Sequence, residues 1–135
     1  MKKKKILSLM LSFMILVTVL VTSVQAASTY NNQTSMTNTN FMITEDGVAK
    51  VGLCYEGHEG LMTNAKITIT ISKRQYLFFW SRLETATFYS TENDYIHTYE
   101  CQLYSKGTYK CEVEYCISGT GGADDILTFE DTDTY

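Results

Sequence analysis

The chain has no proline and one tryptophan among its 135 residues. Without proline, no edge strand can be blunted by a missing N–H and no turn is pre-set by a fixed φ. Turns then fall to Gly, Asn and Asp, and edge protection to charge. A basic surplus is also absent: 15 acidic side chains face 11 basic ones, which argues against a nucleic-acid binder. Charge is sparse at 19% and apolar residues reach 44%, too apolar a balance for a disordered chain and enough for one small packed core.

Several chemical signatures are missing too. There is no D-x-D-x-D-G calcium loop, and the Gly119-Thr120-Gly121-Gly122 run lacks the lysine and helix of a phosphate-binding loop. Cys54 and His58, like His97 and Cys101, are four residues apart. On a strand that spacing is about 13 Å, too long for one tetrahedral zinc. No metal, cofactor or catalytic residue is therefore assigned. The acidic C-terminal residues Asp124, Asp125, Glu130, Asp131 and Asp133 are expected to be solvated.

What is present begins with an export signal. Lys2 to Lys5 precede an apolar run from Ile6 to Val21, and Val24 and Ala26 stand where a signal peptidase requires small residues. Residues 1–26 are expected to be removed, leaving a secreted chain with no membrane segment. All acidic residues and seven basic ones remain, a net charge of −8. On average that charge repels anionic surfaces.

Residues 27–40 are nearly all Ser, Thr, Asn and Gln and are expected to form a flexible polar arm. From residue 41 to 135, short alternating runs broken by Gly, Asn and Asp predict an all-β domain. Ala49, Val51, Leu53 and Tyr55 alternate with polar residues; Ile67, Ile69 and Ile71 alternate with Thr68, Thr70 and Ser72; Tyr109, Cys111, Val113, Tyr115 and Ile117 do the same. Further strands are expected over 41–44, 75–87, 95–103 and 124–130. About seven antiparallel strands in two sheets make a β-sandwich.

Tyr76, Phe78, Phe79, Trp80, Phe88 and Tyr89 crowd one segment. A strand cannot bury all of them on one face, so an exposed subset would form an aromatic binding patch. Four cysteines in an exported chain, Cys54, Cys101, Cys111 and Cys116, are expected to be disulfide-bonded. Cys111 and Cys116 cannot pair within one strand, where roughly 17 Å would separate backbones that a bridge holds within roughly 7 Å.

Gly107-Thr108-Tyr109-Lys110-Cys111 resembles the tyrosine corner of immunoglobulin-type sandwiches, with Cys54 upstream and Trp80 between the two cysteines. The resemblance implies an immunoglobulin-like fold, gives Gly107 and Tyr109 a structural role at the corner, and favours Cys54 with Cys111 and Cys101 with Cys116. Cys54 with Cys116 and Cys101 with Cys111 stays open, because Cys54 faces away from Val51 and Leu53 unless a bulge at Gly52 resets the alternation. The segments A-K-V-x-L (49–53), K-I-T-I-T-I-S-K (66–73), F-W-S-R-L (79–83) and K-G-T-Y-K (106–110) are also similar to those of small exported proteins of Gram-positive, Clostridia-like bacteria. That likeness brings no site residues with it. The expectation is a secreted, non-catalytic binding module for a protein or glycan partner, with a small antimicrobial or inhibitory effector as the alternative.

Overall fold

The computed structural model describes residues 30–135; the proposed signal peptide and the start of the polar arm lie outside them. Seven strands follow one another: β1 (Gln33–Ile43), β2 (Val48–Gly57), β3 (Met62–Tyr76), β4 (Phe79–Ser90), β5 (Asp94–Gln102), β6 (Thr108–Gly119) and β7 (Asp125–Thr134). They form two antiparallel sheets, ordered β1-β2-β5 and β4-β3-β6-β7. No helix occurs among the described residues.

Alternation decides which side chains meet. Ala49, Val51, Leu53 and Tyr55 of β2 face Ile67, Ile69 and Ile71 of β3 and Tyr109, Cys111, Val113, Tyr115 and Ile117 of β6 in one buried core. Each fully buried isoleucine contributes about 1.5 to 3 kcal/mol relative to exposure, and the β-branched run suits the extended backbone. Inside, Tyr55 stacks on Tyr95 at 5.3 Å and meets Tyr115 edge-on at 6.5 Å.

The reading of residues 27–40 as a flexible arm is corrected: Gln33 to Asn40 belong to β1 and pair with β2. Thr37 and Thr39 continue inward the alternation that Phe41 and Ile43 carry, and Thr39 shares a 2.6 Å hydrogen bond with the Tyr115 hydroxyl. Asp125, only 7% exposed, accepts the backbone N–H groups of Asn31 (2.8 Å), Asn32 (2.6 Å) and Gln33 (3.1 Å). At the other end of β1, the Asp133 carboxylate accepts the Ile43 N–H at 2.7 Å. These two acids of the C-terminal segment thus lace β1 to β7. The Asn32 side chain also accepts from Gly121 N at 3.0 Å and donates to the Ala123 carbonyl at 3.0 Å. A Cβ at Gly121 would stand 1.9 Å from the Asn31 carbonyl oxygen, so the glycine-rich hairpin is the seat of the N-terminal segment.

The segment expected as one strand over 75–87 is instead a hairpin. β3 runs on to Tyr76, Leu77 and Phe78 make a two-residue turn, and β4 returns from Phe79. At the 103–107 connection, the Tyr109 hydroxyl donates to the Ser105 carbonyl at 2.5 Å, and Gly107 takes φ +150°. A Cβ there would meet the Lys73 side chain at 2.8 Å.

The disulfide expectation is overturned: all four cysteines are free. Gly52 does not bulge; β2 pairs with β5 in unbroken register from Val48 to Glu56. Cys54 therefore points out of its sheet, while Cys111 points into the core from the other sheet. Cys101 faces inward on β5, and Cys116 lies on the outer side of β6. Each preferred pairing sets a cysteine on the outer face of one sheet against one that faces inward from the other sheet, and fails for that reason.

Candidate functional site

Two regions bring chemistry-bearing residues together. The first is the tip of the β3–β4 hairpin. Lys73 opposite Tyr109 is the last row that β3 shares with β6, so residues 74–79 extend past the body of the sheet as a two-stranded ribbon. Tyr76, Leu77, Phe78 and Phe79 are 68%, 61%, 87% and 70% exposed. Four consecutive apolar side chains in water are unusual in a structure whose other strands alternate. The turn is unusual as well: Leu77 has φ +44°, at the first position of a two-residue loop, where Gly is the preferred residue. The left-handed conformation costs a leucine roughly 1 to 2 kcal/mol.

Behind the tip, Trp80 is half-buried between cations. The Arg74 guanidinium lies 4.9 Å and the Lys110 ammonium 5.4 Å from its ring. Lys110 is in turn paired with Glu112 at 3.1 Å and Glu130 at 3.5 Å. On the core side of the ribbon, Lys73 sits 5.7 Å from the Tyr109 ring and donates to Ser105 Oγ at 2.6 Å.

Of the six aromatics singled out in the sequence, Tyr76, Phe78, Phe79 and Trp80 gather here. Phe88 and Tyr89 do not. Phe88 turns inward against His97 (4.8 Å) and Tyr99 (5.9 Å), and Tyr89 is exposed near the far end of β4, opposite Lys66. Leu77 was missed because only aromatics were counted; the unbroken run Tyr76 to Trp80 in an alternating background was the available signal.

The second region is the seam between the edge strands β4 and β5. Ile71 pairs with Glu84 and Ser72 with Arg82, so Leu83 is an extra residue in β4. This bulge reverses the alternation and turns Glu84 inward. Its carboxylate accepts the Tyr99 hydroxyl at 2.7 Å and the Cys101 thiol at 3.1 Å, joining the two sheets. The hydrogen bond from Tyr99, and then that from Cys101, hold the Glu84 carboxyl below its ordinary value against a smaller opposing effect of burial. Burial, reinforced by Glu84, pushes Tyr99 upward and Cys101 up to about 11. A nucleophilic cysteine requires the opposite shift, so this arrangement fastens the seam and does not activate the thiol.

That coupling has a pH signature. Because the Glu84 pKa is lowered on folding, its contribution is complete above the ordinary carboxylate range and disappears as pH falls through the lowered value. Wild type is expected to melt above Glu84→Gln at neutral pH and to converge with it in acid. Solvent screening limits the difference at this exposed seam. Parallel melting curves at every pH would refute the coupling.

Among the described residues, no group of three or more His, Cys, Asp or Glu gathers to hold a metal. Cys54 points outward on β2, whereas His97 and Cys101 face inward on β5. No helix among the described residues is long and apolar enough to cross a membrane. No protein-family model, curated protein or solved structure matches the chain.

Proposed function

We propose that the chain is an exported, non-catalytic binding module with an immunoglobulin-like fold, which engages a partner at the cell surface through the β3–β4 tip. The sheet order supports the fold assignment: three strands face four, with the fourth strand beside the third, as in sandwiches that extend their second sheet. The Tyr109 to Ser105 hydrogen bond across the turn before β6 also supports it. One observation carries the function: Tyr76 to Phe79 form an exposed apolar run on a turn whose backbone favours glycine. Strain retained at an exposed position, where a simpler residue would remove it, marks a site selected for contact.

The test separates stability from binding. Leu77→Gly is expected to raise stability by about 0.5 to 1 kcal/mol, the relieved left-handed strain less the added freedom of the unfolded chain. Phe78→Asp with Phe79→Asp is expected to leave the melting temperature nearly unchanged and to lower retention on cell-envelope preparations by about tenfold or more. Retention that ignores the tip would refute the reading.

A further inference from the structure

Charge is distributed along this molecule in a way its net value conceals. The described residues carry seven Lys and Arg against 15 Asp and Glu. Three of the seven, Lys73, Arg74 and Arg82, lie on the β3–β4 ribbon between Ser72 and Leu83, a stretch without a carboxylate, and a fourth, Lys106, is in the adjoining 103–107 connection, whereas Lys110 is neutralised by its pairs with Glu112 and Glu130. Apart from those pairs, three carboxylates share that end. Glu45 and Asp46 are on the β1–β2 turn, and Asp133 is engaged by the Ile43 and Thr134 N–H groups. The rest of the domain holds three cations, the paired Lys110 among them, and twelve carboxylates. The molecule is therefore polar along its length, positive around an apolar projection and negative behind it.

The shape of the tip narrows the choice of partner. It is a convex ribbon ending in Leu77 and Phe78, with cations on both of its sides: Arg74 and Arg82 toward the outer face, and Lys73 toward the core. Positive charge on both sides of an apolar edge suits a planar anionic surface better than a single carboxylate in a protein pocket. Aromatic residues, here Tyr76 and Trp80 with the exposed Tyr104 nearby, favour the boundary between head groups and acyl chains. We infer that the tip docks on an anionic lipid bilayer, inserting Leu77, Phe78 and Phe79 into the interfacial layer while the flanking cations meet head-group phosphates. The inference rests on the tip being the binding element and names what it binds.

Mean charge argues against such a surface, but the Debye length at physiological salt is about 8 Å. At contact the surface therefore responds to the tip, and the acidic body is screened. The repelled body orients the molecule tip-first. One apolar turn with a basic flank gives reversible attachment, as expected when no long apolar segment is inserted.

Trp80, the sole tryptophan, reports on this contact directly. The full chain is expressed with its leader and taken in the form the host exports, wild type and variants side by side. It is titrated with vesicles of phosphatidylcholine alone and with vesicles containing phosphatidylglycerol, following Trp80 emission and co-sedimentation. The expected result is a blue shift and sedimentation with phosphatidylglycerol vesicles only, at least about tenfold stronger than with phosphatidylcholine and reversed by high salt. Phe78→Asp with Phe79→Asp is expected to abolish both signals; Phe78→Ser, milder on the turn, is expected to weaken them, and circular dichroism verifies that each variant is folded. Vesicle binding that leaves Trp80 emission and the tip variants unaffected would overturn the inference. No vesicle binding, with tip-dependent retention on envelope protein or glycan, would overturn the bilayer as partner and keep the binding reading. Loss of tip dependence in both assays would remove both.

Discussion

Asp125→Ala is expected to destabilise the protein by about 3 to 5 kcal/mol, more than any other single side-chain hydrogen-bonding group considered above. Its carboxylate is buried and accepts three consecutive backbone N–H groups, those of Asn31, Asn32 and Gln33. Asn31 is half-exposed and can turn to water, but Asn32 and Gln33 are fully buried. Leaving a buried donor unsatisfied costs about 1 to 3 kcal/mol, and more where its partner was charged. Two such donors set the expected range. Asp133→Ala, which releases the part-buried Ile43 N–H and the exposed Thr134 N–H that water can satisfy, is expected to cost about 1 kcal/mol. Urea denaturation of the two variants compares them directly. Similar small losses for both would mean that β1 is held by its pairing with β2 alone. Limited proteolysis adds a local readout, because Asp125→Ala should expose the chain around residues 31–36 before the remainder unfolds.

The same clamp marks a boundary of what the sequence discloses. Strands with apolar alternation, such as Ile67, Ile69 and Ile71, are legible because every second side chain enters the core. β1 has the same period, but its inward positions begin with Thr37 and Thr39, and a composition rich in Asn and Thr reads as solvent-exposed. What holds its start is an acid more than 90 residues away, and no local pattern announces a contact of that range. The hairpin at Leu77 and Phe78 was hidden for the opposite reason. Its turn contains none of the Gly, Asn or Asp residues that make such a backbone easy, so an apolar run read as continuous strand. The aromatic segment was visible as chemistry, and its division into an exposed tip, an inward Phe88 and a remote Tyr89 depended on that unseen turn.

Bulges show the limit at single-residue scale. The strand parity of Cys54 was legible, and Gly52 was the position at which it might have been reset. The β2 register continues unbroken, and the bulge falls instead at Leu83 on edge strand β4. An edge strand has no second neighbour whose register must be preserved, so the extra residue is accommodated there at little cost. It places Glu84 against Tyr99 and Cys101 and makes the seam polar. It also interrupts β4 as a template for another chain, an edge protection that a protein without proline needs.

Thiol chemistry provides the second large effect, since the four free cysteines occupy unlike surroundings. Cys111 is fully buried, and burial, with Asp131 and then Glu112 adding to it, pushes its pKa up to about 12. Cys101 is raised to about 11 by burial and then by Glu84, and Cys116 is raised by burial and Asp124. Cys54 stands half-exposed on the outer face of β2. Relative to an ordinary value of 9.0, a rise to about 11 lowers the thiolate fraction near neutral pH about a hundredfold. The greater nucleophilicity of the more basic thiolate recovers part of this, leaving Cys101 about tenfold slower by charge alone. For Cys111 the lack of access dominates, and reaction must wait for the core to open. Timed alkylation of the native protein with iodoacetamide, read by peptide mass, is therefore expected to label Cys54 first, Cys101 and Cys116 more slowly, and Cys111 only at the rate of unfolding. Glu84→Gln should accelerate Cys101 selectively, because it removes the carboxylate that disfavours the thiolate. Rapid native labelling of Cys111 would contradict its place in the core; a Cys101 rate indifferent to Glu84→Gln would separate that thiol from the seam.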